Sequence, residues 1–303
     1  MDLRIFGILA MVMVGSGWTI FGYLMGKAPK LKLDITGFLF ICTAVEFIIS
    51  IIIALFSGVP QATLTGWVIG SGILLLCGVA NYFQLEIMAK AMQKGPNGII
   101  WTITQSGFIF PFAMGIICFG VPLPPFRGVG FILLIASLVI FGLSGKSSQA
   151  SGKWKLLALL AFLATGVSQS LSNLPSYFES AAPITEKWRT AAFALGLMLG
   201  CLLVKCRELP AFFRVVKEQL GNKNVWWMGA LGSLSNMIFS MLFLYPGMNA
   251  LEKTGCGAIA YPVMVCSCLI IFESYSIIFL REKRSAGQIF ALILCIAGAV
   301  MIC

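Results

Sequence analysis

The chain has 303 residues, 59% of them hydrophobic and 11% charged, with a net charge of +10 and no histidine. An ordinary soluble domain carries about 25% charged residues, so a soluble enzyme or nucleic-acid-binding domain is excluded and a polytopic membrane protein is expected. The positive charge then belongs to loops facing anionic lipid rather than to a nucleic-acid surface.

A spanning helix takes about 20 mostly apolar residues. Runs of that kind fall at 4–25, 35–57, 67–89, 97–119, 126–143, 155–176, 187–205, 225–246, 257–280 and 285–303. They are continuous, whereas barrel strands alternate and are about half as long. The expected fold is therefore an all-α membrane protein with ten transmembrane helices. The first run is too long for a signal core, its flank is Met-Asp-Leu-Arg, and no small-residue cleavage site follows, so it is read as the first span. Between the seventh and eighth runs, "CRELPAFFRVVKEQLGNKN" (206–224) sets Leu209, Phe212, Phe213, Val216 and Leu220 among basic residues. It reads as a short helix on the inner leaflet, with a plain solvated linker as the alternative. Cys42, Cys77, Cys118, Cys266, Cys268 and Cys295 fall inside apolar runs and read as small packing residues. Cys266-Ser267-Cys268 is a lone pair without metal-ligand spacing, so neither metal nor cofactor is expected.

With ten spans, both termini share a side. That side holds Arg4, Arg127, Lys187, Arg189 and Lys253, and the opposite loops hold 16 of the chain's 21 Lys and Arg. The positive-inside rule then puts both termini outside the cytoplasm, in a multi-pass protein of the cell (inner) membrane.

"AMQKGPNGIIWTI" (91–103) returns as "ALEKTGCGAIAYP" (250–262), and the register continues ungapped through Gly128 with Gly287, Phe131 with Phe290 and Leu133 with Leu292. "GKSSQASGK" at 145–153 divides the halves, giving residues 1–145 and 154–303 as five-helix repeats around a linker at 146–153. Five is odd, so the copies enter the membrane in opposite senses. A 5+5 inverted repeat is the architecture of secondary transporters.

The end of the second repeat, Ala250–Ile302, resembles the drug/metabolite transporter superfamily of EamA-like proteins. The resemblance lies in small residues and Pro262 opening a repeat's fourth helix, an acid (Glu282) at its end, and a helix running from Gln288 to Gly298. The first half departs from it, with prolines in "GVPLPPFRG" (120–128) where the acid would stand. "GVANYFQLEIMAKAMQKGPNGI" (78–99) and the basic loop "KAPKLKLD" (27–34) are similar to the superfamily's bacterial sugar–proton symporters for rhamnose and glucose. Members are often described with cytoplasmic termini, whereas the charge count here argues for the opposite.

A charged side chain at mid-membrane needs a reason. Glu46 lies near the centre of its run and is the first candidate to carry a coupled proton, since a buried carboxylate is the obvious group to do so without histidine. An interhelical structural carboxylate is the alternative. Glu273 is the second candidate, or a partner of the basic stretch that follows it. Glu86 stands four residues before Lys90, near the end of its run, and reads first as an interfacial helical ion pair. Asn81, Gln105, Gln169 and Asn236 come from four runs at similar depth and together favour a shared polar cavity, although each alone is as readily packing glue. Trp18, Trp101, Tyr82 and Tyr261 are the candidate cavity walls. Pro111 and Pro262 interrupt backbone hydrogen bonding within runs.

The expected function is secondary active transport of a small polar metabolite, with a sugar as one candidate and proton coupling through Glu46. Export of amino acids or amphipathic cations is the alternative, and a lipid flippase or scramblase a further one. A membrane-embedded enzyme is not expected without histidine or metal spacing, and no nucleotide-binding motif supports ATP-driven transport. The expected partners are a small-molecule substrate, the proton and membrane lipid, with no nucleic acid and with monomer or dimer left open.

Overall fold

The computed structural model describes residues 2–143, 153–281 and 285–302. Of the expected linker at 146–153, residues 146–152 lie outside the described residues, as do Glu282, Lys283 and Arg284, while Lys153 opens a helix. The chain forms helices α1 (Leu3–Lys27), α2 (Ile35–Phe56), α3 (Leu64–Met92), α4 (Asn97–Phe119), α5 (Pro125–Leu143), α6 (Lys153–Asn173), α7 (Glu186–Lys205), α8 (Leu209–Leu220), α9 (Lys223–Lys253), α10 (Gly257–Ile278) and α11 (Ala286–Ile302). Eight of these, α1–α4, α6, α7, α9 and α10, are long and apolar enough to cross a membrane. The other two expected spans correspond to shorter apolar stretches, Pro125–Ile140 and Ala286–Ile302.

Local chemistry sets the helix ends. Asp34 caps α2 by accepting from the Gly37 amide at 2.7 Å, and Asp2 caps α1 by accepting from the Arg4 amide at 2.8 Å. At the start of α11, Ser285 Oγ accepts from the Gln288 amide (3.3 Å) while Gln288 Oε1 accepts from the Ser285 amide (2.9 Å). That reciprocal capping box gives Gln288 a structural task.

Four helices carry irregular turns, three of them beside a proline. In α4 a 3₁₀ segment covers Ser106–Phe108, and in α10 another covers Gly257–Ile259. Pro111 has no N–H for the Gly107 carbonyl, and Pro262 has none for the Ala258 carbonyl, so each 3₁₀ turn is centred on the carbonyl to which its proline cannot donate. In α9 a π segment covers Ser240–Leu244, where Pro246 cannot donate to Leu242, and α3 has a π segment at Val68–Gly72.

The eight long helices form one bundle. The closest pairs are α3 with α6 and α7, α2 with α7, and α1 with α10, while α2 and α1 also pack on α9, and α4 on α6 and α10. Helices α3 and α7 meet backbone to backbone: a Cβ on Gly78 would strike the Phe193 carbonyl, and one on Gly196 the Leu75 carbonyl. Helices α5 and α11 pack chiefly on each other beside the bundle, touching it through α4 and α10. Ser137 Oγ donates to the Ala291 carbonyl there at 2.7 Å. Outward faces are apolar, with Phe56, Leu64, Ile117 and Val300 largely exposed, as lipid contact requires.

Helix α8 turns Phe212, Val216 and Gln219, on one face at i, i+4 and i+7, toward the protein. Gln219 Nε2 donates to the Asp34 carbonyl at 3.1 Å, and the Phe212 and Phe213 rings meet Phe40 of α2 edge-on. The expected leaflet helix is thus seated on α2 by its more buried face, leaving Phe213 and Leu220 exposed.

Candidate functional site

The eight long helices surround a cavity of about 910 Å³, counted with its open mouth. Its walls come from separate helices.

One wall is the seam between α2 and α9. Glu46 is the twelfth of the 22 residues of α2 and only 3% exposed. Its Oε1 accepts from Asn236 Nδ2 of α9 at 2.6 Å. One turn earlier on each helix, Ser233 Oγ donates to the Cys42 carbonyl at 2.7 Å. The spacing 42/46 and 233/236 puts both bonds on one stripe along the seam. Another wall joins α4 to α6, where Gln169 Nε2 donates to Gln105 Oε1 at 3.2 Å and the second amide atom of Gln169, Oε1, is buried without a partner. Asn81 of α3 donates to Gln84 of the same helix at 3.1 Å, and Cys77 Sγ donates to the Ser168 carbonyl of α6 at 3.1 Å. Trp18 of α1 and Tyr261 of α10 form an aromatic side, their ring centres 6.1 Å apart, and Trp101 of α4 lines the cavity beside them.

Glu46, Asn81, Gln105, Gln169, Asn236, Trp18, Trp101 and Tyr261, proposed from sequence, therefore all border one space. Tyr82 and Glu273 do not. Tyr82 points away from the cavity neighbour Asn81, since successive helical residues diverge by about 100°; its hydroxyl meets Thr36 Oγ1 at 3.1 Å and its ring packs over Gly200. Glu273 is buried where α10 meets α4, accepting from Thr102 Oγ1 at 3.1 Å. Glu86 forms the helical pair with Lys90 at 2.8 Å.

Sequence reading missed Phe21, Phe38, Thr43, Phe193 and Tyr245, which also line the cavity. Helical periodicity points to several of them. Phe21 is one turn beyond Trp18, and Phe38, Cys42 and Glu46 follow each other at i, i+4 and i+8. Apolar rings in an apolar chain give no other sign.

Among the lining residues Glu46 is the sole Asp, Glu, Lys or Arg. Nearby, Arg189 of α7 is 1% exposed and turned elsewhere: Nη2 donates to the Ala181 carbonyl (2.9 Å) and Nη1 to Asn249 Oδ1 (3.2 Å). Among the described residues, no group of three or more Cys, Asp or Glu is placed to hold a metal.

No family model matches this chain, and no curated protein matches it. A solved crystal structure aligns with 99% of it and with 95% of its own chain, at a TM-score of 0.56 and 14% identity. At that identity the likeness extends to the fold alone.

Proposed function

We propose that the protein is a secondary transporter of a small polar metabolite, working by alternating access around this cavity and coupled to protons through Glu46. One observation carries the reading: a mid-membrane carboxylate, the cavity's single charged group, opens onto a space bordered by eight helices and is held by a neutral amide. Apolar walls with a few convergent polar groups are typical of binding sites. An intramembrane carboxylate that faces a cavity is a natural proton carrier.

The packing supports a 5+5 inverted repeat of ten spans, with α5 and α11 as the fifth and tenth. Exchanging each of the first five spans with its counterpart turns the α1–α9 contact into α6–α3, α1–α10 into α6–α4 and α2–α9 into α7–α3, and all of these contacts exist. The third span of each half holds a π segment and the fourth a proline-centred 3₁₀ turn. Such symmetry supplies two states related by exchange of the halves. On this reading the protein resembles the EamA-like drug/metabolite transporters and lies in the inner membrane with both termini outside the cytoplasm. The charge bias for that orientation sharpens once Arg189 is removed from the count, because it is buried in α7 rather than in a loop.

The test is uptake into proteoliposomes of a labelled metabolite panel, with and without a pH gradient. The native protein accumulates its substrate when the gradient is imposed. Glu46→Gln loses that accumulation but retains exchange at saturating substrate. Full gradient-driven accumulation by a folded Glu46→Gln protein removes the proton role, and absence of uptake of any compound removes the transport reading.

A further inference from the structure

We infer that the outer face of α8 is a docking surface for an anionic phospholipid, with Arg214 and Lys217 on the headgroup phosphate and Phe213 and Leu220 among the acyl chains. The inference does not depend on what the cavity carries.

The order of side chains around α8 is the first argument. Successive helical residues turn by about 100°. Measured from the buried Phe212, Val216 and Gln219 fall within about 40° of it, on the stripe that seats α8 against α2. Leu220 and Phe213, both exposed, follow at about 80° and 100°. Lys217 and Arg214, exposed as well, stand at about 140° and 200°, and Glu218 at about 240°. Around its axis the helix therefore meets protein, then presents apolar side chains, then cations, then an acid. A helix lying at headgroup depth beside a bundle needs that order: protein on one flank, acyl chains beneath, phosphates at their edge and water beyond. A solvated linker gains nothing from setting Phe213 and Leu220 side by side on an exposed edge.

Depth is the second argument. Helix α9 begins at Lys223, and Trp226 and Trp227 in its first turn are both exposed. Trp226 Nε1 donates to the Leu220 carbonyl at 2.8 Å, which ties the end of α8 to α9. Tryptophans gather at the level of the headgroups, so this bond sets α8 at that level. Charge is the third argument. The side chains of Arg214 and Lys217 make no hydrogen bond or ion pair among the described residues, so their donors are open to a phosphate. From 205 to 223 the chain carries five basic residues against two acidic ones, a surplus that favours an anionic headgroup over a zwitterionic one.

The test is native mass spectrometry of the full chain in a neutral detergent, titrated with palmitoyl-oleoyl phosphatidylglycerol or with the matching phosphatidylcholine. A basic residue near a headgroup adds about fivefold in affinity, so phosphatidylglycerol binds the native protein about tenfold or more tighter than phosphatidylcholine. Arg214→Gln together with Lys217→Gln brings the two lipids to near-equal affinity. Lys187→Gln together with Lys253→Gln removes the same charge at the opposite helix ends and leaves the preference intact. Equal binding of the two lipids by the native protein overturns the inference. An equal loss in the control pair also overturns it, by making the preference a matter of net charge. Glycerol 1-phosphate at the same concentration displaces no lipid; displacement makes the surface a site for a soluble anion and overturns the lipid assignment. Should the paired variant fail to fold, Arg214→Gln and Lys217→Gln singly each lower the preference severalfold, and no change in either sinks the site.

Discussion

Two helix pairs that exchange under the proposed repeat are joined in different ways. Helices α3 and α7 cross through Gly78 and Gly196, with backbone against backbone and no room for a single methyl group. Helices α2 and α9 are joined instead by side chains, Asn236 to Glu46 and Ser233 to the Cys42 carbonyl, and the cavity lies along that seam. A glycine crossing is held by close van der Waals packing and resists sliding, because any shift drives carbonyls into Cα atoms. A seam of side-chain hydrogen bonds can lengthen, break and re-form as rotamers change. The protein thus places its cavity carboxylate at the more yielding of the two joints, where binding at Glu46 can bear on how the helices sit.

Breaking the rigid joint has the largest expected effect. Gly196→Val puts a branched side chain against the Leu75 carbonyl and forces α3 and α7 apart. Overpacking of this kind costs about 1–3 kcal/mol or more, so the melting temperature in detergent falls and the yield of folded protein drops. A variant that melts like the native protein refutes the backbone-contact account. At the yielding joint, Asn236→Leu removes the donor from a buried carboxylate, at a cost of about 1–3 kcal/mol. Combined with Glu46→Leu in a double-mutant cycle, it gives a coupling of about 0.5 kcal/mol or more. Additive effects mean that the 2.6 Å bond contributes nothing to the seam. Ser233→Ala is the mildest change. The Cys42 carbonyl it leaves is a helix acceptor within α2, and interhelical hydrogen bonds in membranes average about 0.6 kcal/mol. A shift in melting no larger than that is expected, and a larger one makes Ser233 the main fastening of the joint.

Much of this was legible in the chain because spanning helices need long apolar runs, and the runs at 35–57 and 97–119 became α2 and α4 within a residue or so. Polar residues inside such runs are conspicuous for the same reason, so Glu46, Asn81, Gln105, Gln169 and Asn236 stand out in the sequence, and all five border the cavity. Rotation about the helix axis is harder to read. Asn81 and Tyr82 are adjacent in sequence, yet only Asn81 faces the space, and Glu273 is polar but satisfied at another interface. The seating of α8 on α2 depends on a contact across 185 positions, Gln219 to Asp34, that no local pattern announces. The π segment of α3, without a proline to mark it, is equally silent in sequence.

The pairing of α5 with α11 has a consequence for how the protein is made. As the nascent chain leaves the ribosome, α5 is made long before its chief partner, with α6 to α10 between them. Until α11 is made, the face bearing Gly130 and Ser137 lacks the Gly298 and Ala291 carbonyls on which it later closes. In the meantime the Ser137 hydroxyl can turn back to a carbonyl of its own helix, as Ser and Thr in helices commonly do. The α5–α11 pairing is therefore among the last contacts the chain can complete.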